Sequence, residues 1–100
     1  MVKRKIRWSP RAKLDLIEIL DFYFQRNGNK TYSVKINSVV RQSITLLEKK
    51  PFIGVQTDIP DVRNLIEGDY CIFNEIRSDA IEIITIWDNR QNPGFLNIKS

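Results

Sequence analysis

Arg90 is the residue whose type and position are best suited to chemistry. It lies in Trp87-Asp88-Asn89-Arg90-Gln91-Asn92-Pro93, at the end of the most apolar strand-like run of the chain. A guanidinium presents several fixed donors that match phosphate or carboxylate oxygens. An arginine projecting from a rigid strand end therefore clamps a nucleic-acid backbone or an acidic side chain. The same spacing also fits a plain structural role, with Asp88 pairing to Arg90 across the strand end and Pro93 stopping the sheet. Arg63 and Arg77 are the other cations in this half of the sequence. Arg63 shares a face with Arg90 in one strand register, which spacing alone does not choose, while Arg77 reads as a surface cation at a turn.

Most other site chemistry is excluded by residue type. The chain has no histidine, so the usual base at neutral pH and the common nitrogen ligand for zinc are both missing. Its single cysteine, Cys71, lies in an apolar stretch and reads as a buried, reduced thiol. The glycines at 28, 54, 68 and 94 are too scattered to cradle a phosphate or a dinucleotide. Asp58, Asp61, Glu67 and Asp69 are close in sequence, but they fall in turn-like segments and match no ligand loop. Neither a cofactor nor a bound metal is expected.

The net charge of +4 has one source. Residues 1 to 13 hold six basic residues (Lys3, Arg4, Lys5, Arg7, Arg11, Lys13) and no acid, whereas residues 14 to 100 hold ten basic and twelve acidic ones. Such a cluster attracts phosphate backbones or an acidic protein, or else it is a solvated strand edge protected against aggregation. No apolar run approaches a membrane span and the basic start leads into Trp8-Ser9-Pro10, so a cytoplasmic protein with no membrane association is expected.

The elements that must position these residues follow from periodicity. Lys5 to Trp8 reads as a short strand, and Ser9-Pro10 is a helix start, the hydroxyl capping free amides and the proline preset for the first turn. Leu16, Ile19, Leu20, Tyr23 and Phe24 give a helix from about Pro10 to Arg26, stopped by Asn27-Gly28-Asn29. Tyr32, Ile36, Val39, Val40, Ser43 and Leu47 give a second helix from Thr31 to Glu48. Val62 to Ile66, Tyr70 to Ile76 and Ile81 to Asp88 read as an antiparallel meander. The expected fold is α+β: a short N-terminal strand, an antiparallel helical hairpin and a C-terminal β-meander, in a single domain over 1–100.

This order of elements, with "IRWSPRAKLDL" at the start, "VRNLIEGDYCIF" in the middle and "IITIWDNRQNP" near the end, resembles the RelE/ParE toxin superfamily, a bacterial group that includes plasmid stabilisation proteins. The resemblance implies the toxin of a type II toxin–antitoxin system, a growth inhibitor neutralised by a cognate antitoxin whose C-terminal segment wraps the toxin. It implies one of two targets, because RelE-like members cut mRNA on the ribosome and ParE-like members poison DNA gyrase without being nucleases. In the nuclease reading Arg90 is the catalytic arginine at the end of the last strand and Arg63 a shifted stand-in for a first-strand cation. Against it, Cys71 stands where the nucleases commonly carry arginine, and Gly94-Phe95-Leu96 occupies the region that should supply a tyrosine or histidine. A preorganised charge-stabilising site that lacks a donor and its acid/base keeps little rate, so a non-enzymatic ParE-like toxin is the preferred reading and a ribosome-dependent endoribonuclease the alternative. A non-toxic protein- or RNA-binding module ranks third. Lys3, Arg4, Lys5, Arg7, Arg77 and Arg90 are the residues expected to meet the target or the antitoxin, in a homodimer or a hetero-oligomer with the antitoxin.

Overall fold

The computed structural model describes residues 4–90. Its elements run β1 (Lys5–Trp8), α1 (Pro10–Asn27), α2 (Thr31–Leu46), β2 (Val55–Gln56), β3 (Val62–Glu67), β4 (Tyr70–Ile76) and β5 (Ala80–Asp88). The α1 start is the one its sequence encodes: Ser9 Oγ accepts the Ala12 amide at 3.0 Å and Pro10 occupies the first turn. Gly28 ends the helix in the left-handed region at φ 73°, donating its amide to the Phe24 carbonyl. Ser33 Oγ on α2 donates to the Leu20 carbonyl of α1 at 2.7 Å, which fixes the two helices against each other.

The strands form one sheet in the order β1-β5-β4-β3-β2. The meander β3-β4-β5 is antiparallel, as its short apolar runs with polar turns between them predict. Two features go beyond it. β1 pairs in parallel with β5, from Lys5 opposite Ala80 to Trp8 opposite Ile83, so the sheet is mixed. Residues 9–79, the helical hairpin and the strands β2 to β4, supply the long connection that parallel neighbours need. β2 adds a two-residue edge through Val55 and Gln56 opposite Asn64 and Arg63, too short to give a periodic signal.

One face of the sheet carries the helices. Ala12, Leu16, Ile19 and Tyr23 of α1 and Ile36, Val40 and Ile44 of α2 pack with Tyr70, Ile72, Ile81, Ile83 and Ile86. Alternation along the strands puts Cys71, Phe73 and Trp87 on the other face. A bulge interrupts β5: Phe73 faces Thr85 but Asn74 faces Ile83, which leaves Ile84 unmatched, and its carbonyl accepts the Ser9 hydroxyl at 2.8 Å. Beyond the end of β1 the exposed β5 edge is closed by Asp15 of α1, which accepts the Ile86 amide at 3.2 Å and the Thr85 hydroxyl.

Candidate functional site

Three elements and the end of a fourth converge on Arg90. β5 ends at Asp88; Asn89 then donates its amide to the Asp69 carbonyl, and the Arg90 amide donates to Asp88 Oδ1 at 2.9 Å. This turn folds the Arg90 side chain back over the helix-covered end of the sheet instead of projecting it outward, as its place after a rigid strand predicts. Its guanidinium carbon lies 5.1 Å from the ring centre of Tyr23 on α1, 5.5 Å from Tyr32 on α2 and 5.4 Å from Tyr70 on β4. These are the only tyrosines in the sequence, so all of them meet one arginine.

Hydrogen bonds close the cage. Arg90 Nη2 donates to the Tyr70 hydroxyl, and Arg90 Nε lies 3.3 Å from Asp69 Oδ2 and 3.6 Å from Asp88 Oδ1. The Tyr23 hydroxyl donates to Asp88 Oδ2 at 2.8 Å. Tyr23 and Tyr32 also meet edge to face at 5.0 Å. Asp88 is buried, Asp69 exposed and the Arg90 side chain 38% exposed.

The electrostatics follow from these neighbours. Burial lifts the Tyr23 hydroxyl to about 12, helped by its hydrogen bond to Asp88 and the charge of that carboxylate, against the opposing Arg90 charge. Tyr70 is pushed up in the same way, by burial first and then by Asp88. Burial works against the Arg90 charge, but Tyr32, Tyr70 and Tyr23 outweigh it and hold the guanidinium above its ordinary range. The site is thus one guanidinium between two acidic side chains, with the Tyr23 and Tyr70 phenols held in their protonated form.

The other expected site residues go elsewhere. Arg63 sits at the opposite end of the same sheet face: it pairs with Asn74, whereas Tyr70 pairs with Asp88. Four residue steps along β4, from Asn74 to Tyr70, or about 13 Å, separate the positions that Arg63 and Arg90 adjoin, so the two arginines are not brought together. Its guanidinium packs 5.2 Å from the Phe52 ring centre, and Nη1 donates to the Gly54 and Phe52 carbonyls. Arg4 stacks on the same ring at 5.6 Å. Arg77 is paired with Glu75 and Glu82 at 3.0 and 3.4 Å. Lys5 and Arg7 are exposed on β1, alternating with the inward Ile6 and Trp8. Lys3, and the segments Gln91-Asn92-Pro93 and Gly94-Phe95-Leu96, lie outside the described residues. The acidic residues have separate partners, Glu67 accepting from Ser43 and Asp69 facing Arg90, and no metal-sized cluster of acids and cysteine forms among the described residues.

A second feature lies along the seam between the helices. Trp8, Leu16, Ile17 and Leu20 with Lys13 and Arg41 line a groove of about 300 Å3. Leu20 is shared with a neighbouring hollow of about 410 Å3, where Phe24, Val34 and Lys30 join it. Arg41 stacks on Trp8 at 5.2 Å. Ile17 and Val34 are exposed, so this apolar seam has no cover within the described residues. Sequence reasoning missed Tyr23, Tyr32 and Phe52 as site residues. The tyrosines fell on helical core stripes, and the one available signal was that a buried tyrosine hydroxyl requires a partner. Phe52 lies in a segment with no periodicity.

Comparison with known proteins adds the following. A family model described as the ParE toxin of the type II toxin–antitoxin system parDE matches residues 6–93. No curated protein matches significantly. Among solved structures, a chain of the chromosomal ParDE system from P. aeruginosa superposes with a TM-score of 0.73 at 22% identity, over 84% of this chain and 94% of that one. A chain of the RelBE2 toxin–antitoxin complex from Mycobacterium tuberculosis gives 0.61 at 15%, over 88% and 93%. A chain of the E. coli DinJ–YafQ toxin–antitoxin complex gives 0.59 at 13%, over 93% and 100%. At these identities the structural likeness establishes the fold.

Proposed function

The chain belongs to the ParE toxin family of type II toxin–antitoxin systems, and from that premise we propose that it arrests growth without catalysis, by binding a macromolecular target such as DNA gyrase in the cytoplasm. The observation that carries this reading is the state of Arg90. The one arginine that a ribonuclease mechanism would use is stacked among three tyrosines and neutralised by Asp69 and Asp88. A nuclease of this kind needs several cations converging on the phosphorane, and Arg63 is at the far end of the sheet.

Control by an antitoxin is supported by the helix seam. An amphipathic helix fits a groove of this kind, its apolar face on Ile17, Leu20, Phe24 and Val34. Lys13 and Arg41 at one end favour acidic residues on that helix. Replacing Ile17 and Val34 by Asp should weaken antitoxin binding by about a hundredfold or more, since both groups are near the centre of the contact.

The test of the function is tightly controlled expression in a host lacking the antitoxin, with nascent RNA profiling and a supercoiling assay on purified gyrase. Growth arrest with inhibited or cleavage-trapped gyrase and intact mRNA is the expected result. Cleavage of mRNA in the ribosomal A site, abolished by Arg90→Ala, would replace this reading with the ribosome-dependent endoribonuclease.

A further inference from the structure

We infer that Phe52, with Arg4 and Arg63 stacked on it, is the surface through which this chain docks on an acidic patch of its protein target, separate from the helix seam proposed for the antitoxin. The inference rests on the toxin reading above.

Phe52 is 56% exposed, in the turn Lys50 to Ile53 that follows α2. An aromatic ring this exposed contributes little to the core, yet two arginines from distant parts of the chain are organised around it. Arg63 comes from β3 and is anchored by the Gly54 and Phe52 carbonyls at 2.8 and 3.1 Å. Arg4 comes from the residue before β1, and its Nε donates to the Arg77 carbonyl at 2.8 Å. Both guanidinium carbons are within 5.6 Å of one ring centre, and so within about 11 Å of each other.

Backbone anchoring sets these two apart. Arg11, Arg77 and Arg90 each pair with a carboxylate, whereas Arg4 and Arg63, like Arg7, Arg26 and Arg41, form no salt bridge among the described residues. Of the described arginines, these two alone donate from the guanidinium to backbone carbonyls, and they do so around one exposed ring. Carbonyl anchors orient a guanidinium without neutralising it, so the remaining N–H donors stay available to an outside anion at little entropic cost. Gly54 holds the arrangement close. A Cβ there would sit 3.1 Å from Arg63 Cβ and 3.2 Å from the Asn64 backbone, so any larger residue would press the turn away from β3 by a few tenths of an ångström.

The apolar surroundings select the kind of partner. Ile53 and Val55 next to Phe52 are 38% and 61% exposed. An aromatic and arginines with exposed aliphatic neighbours is the composition of a protein–protein contact, whereas surfaces that follow nucleic acid are more polar and more densely charged. The seam groove is built from α1, α2 and Trp8, and the Phe52 surface from the turn after α2, β3 and the residue before β1. Two docking surfaces with different residues would let target and antitoxin be disrupted independently.

The experiment compares wild type with Phe52→Ala, the double variant Arg4→Gln/Arg63→Gln, and Val55→Glu, whose exposed position leaves folding unaffected. Growth arrest is titrated against inducer in an antitoxin-free host. The purified chains are measured for melting temperature, antitoxin affinity and binding of a labelled DNA duplex. The expected result is arrest weakened about tenfold or more in all three variants, with antitoxin affinity within about threefold of wild type and no wild-type binding to the duplex at physiological salt. Undiminished arrest in Val55→Glu and in the double variant would overturn the inference. So would a parallel loss of antitoxin affinity, which would make the two surfaces one, or duplex binding that the double variant abolishes, which would make nucleic acid the partner. A wild-type chain that causes no arrest would instead remove the toxin reading and this inference with it.

Discussion

The Tyr23 hydroxyl donates to Asp88 Oδ2 at 2.8 Å while the other oxygen of the same carboxylate accepts the Arg90 amide at 2.9 Å. One buried side chain thus joins the C-terminal part of α1 to the turn that follows β5. Removing it as Asp88→Ala leaves the buried phenol and the Arg90 amide without their acceptor, while the guanidinium keeps Asp69, and should cost roughly 3 kcal/mol for the two bonds. Tyr23→Phe removes a single hydrogen bond, leaving Asp88 Oδ2 without that donor, and should cost about 1–2 kcal/mol. Urea denaturation of both variants checks the order of the two losses.

Arg90 is held by ring faces as much as by charge. A lysine keeps the charge but not the flat guanidinium or its fork of donors, so Arg90→Lys should destabilise the chain nearly as much as Arg90→Ala. Toxicity in either variant should fall only in proportion to the folded fraction, read from growth arrest against circular dichroism of the same protein. A variant that is fully folded and inert would give Arg90 a direct role instead.

The raised pKa of Tyr23 makes stability depend on alkaline pH. Its folded value of about 12 exceeds the ordinary 10.0, so the folded state holds the proton more tightly than the unfolded chain. The stabilisation is complete below pH 10, where both states are protonated, and is lost as pH rises from there toward 12. Phenolate absorbance should show this tyrosine ionising only as the fold is lost, and Tyr23→Phe should flatten the alkaline limb of the stability curve.

Asp15 substitutes for a missing strand beside β5, accepting the Ile86 amide at 3.2 Å and the Thr85 hydroxyl. Asp15→Ala leaves both donors without a partner and should cost about 1–3 kcal/mol. Amide exchange at Ile86 should speed up more than at Ile72 in the centre of the sheet.

Gly28→Ala places a side chain in the left-handed region at φ 73°, where a Cβ meets nothing within 4 Å. The cost is then backbone strain alone, about 1 kcal/mol. Gly54→Ala meets Arg63 and Asn64 directly, and it should both destabilise the chain and lower toxicity by displacing the Phe52 turn.

The sequence alone determined whatever depends on neighbours close along the chain. Ser9-Pro10 and Gly28 bound α1 because a cap and a left-handed stop act within one helical turn. Runs of β-branched and aromatic residues between polar turns located β3, β4 and β5, and with them the α+β class. Long-range placement was decided only by the tertiary structure. Nothing in Lys5 to Trp8 announces a parallel partner in β5, since that pairing depends on where the helical hairpin and the meander together place a strand about 70 residues later. Whether Arg63 meets Arg90 depended on a register that side-chain alternation does not encode, and it placed them at opposite ends of the sheet. Arg90 itself was legible as a strong cation, but its neutralisation was not. That required three tyrosines from two helices and a strand, spread from position 23 to position 70, to be packed around one turn.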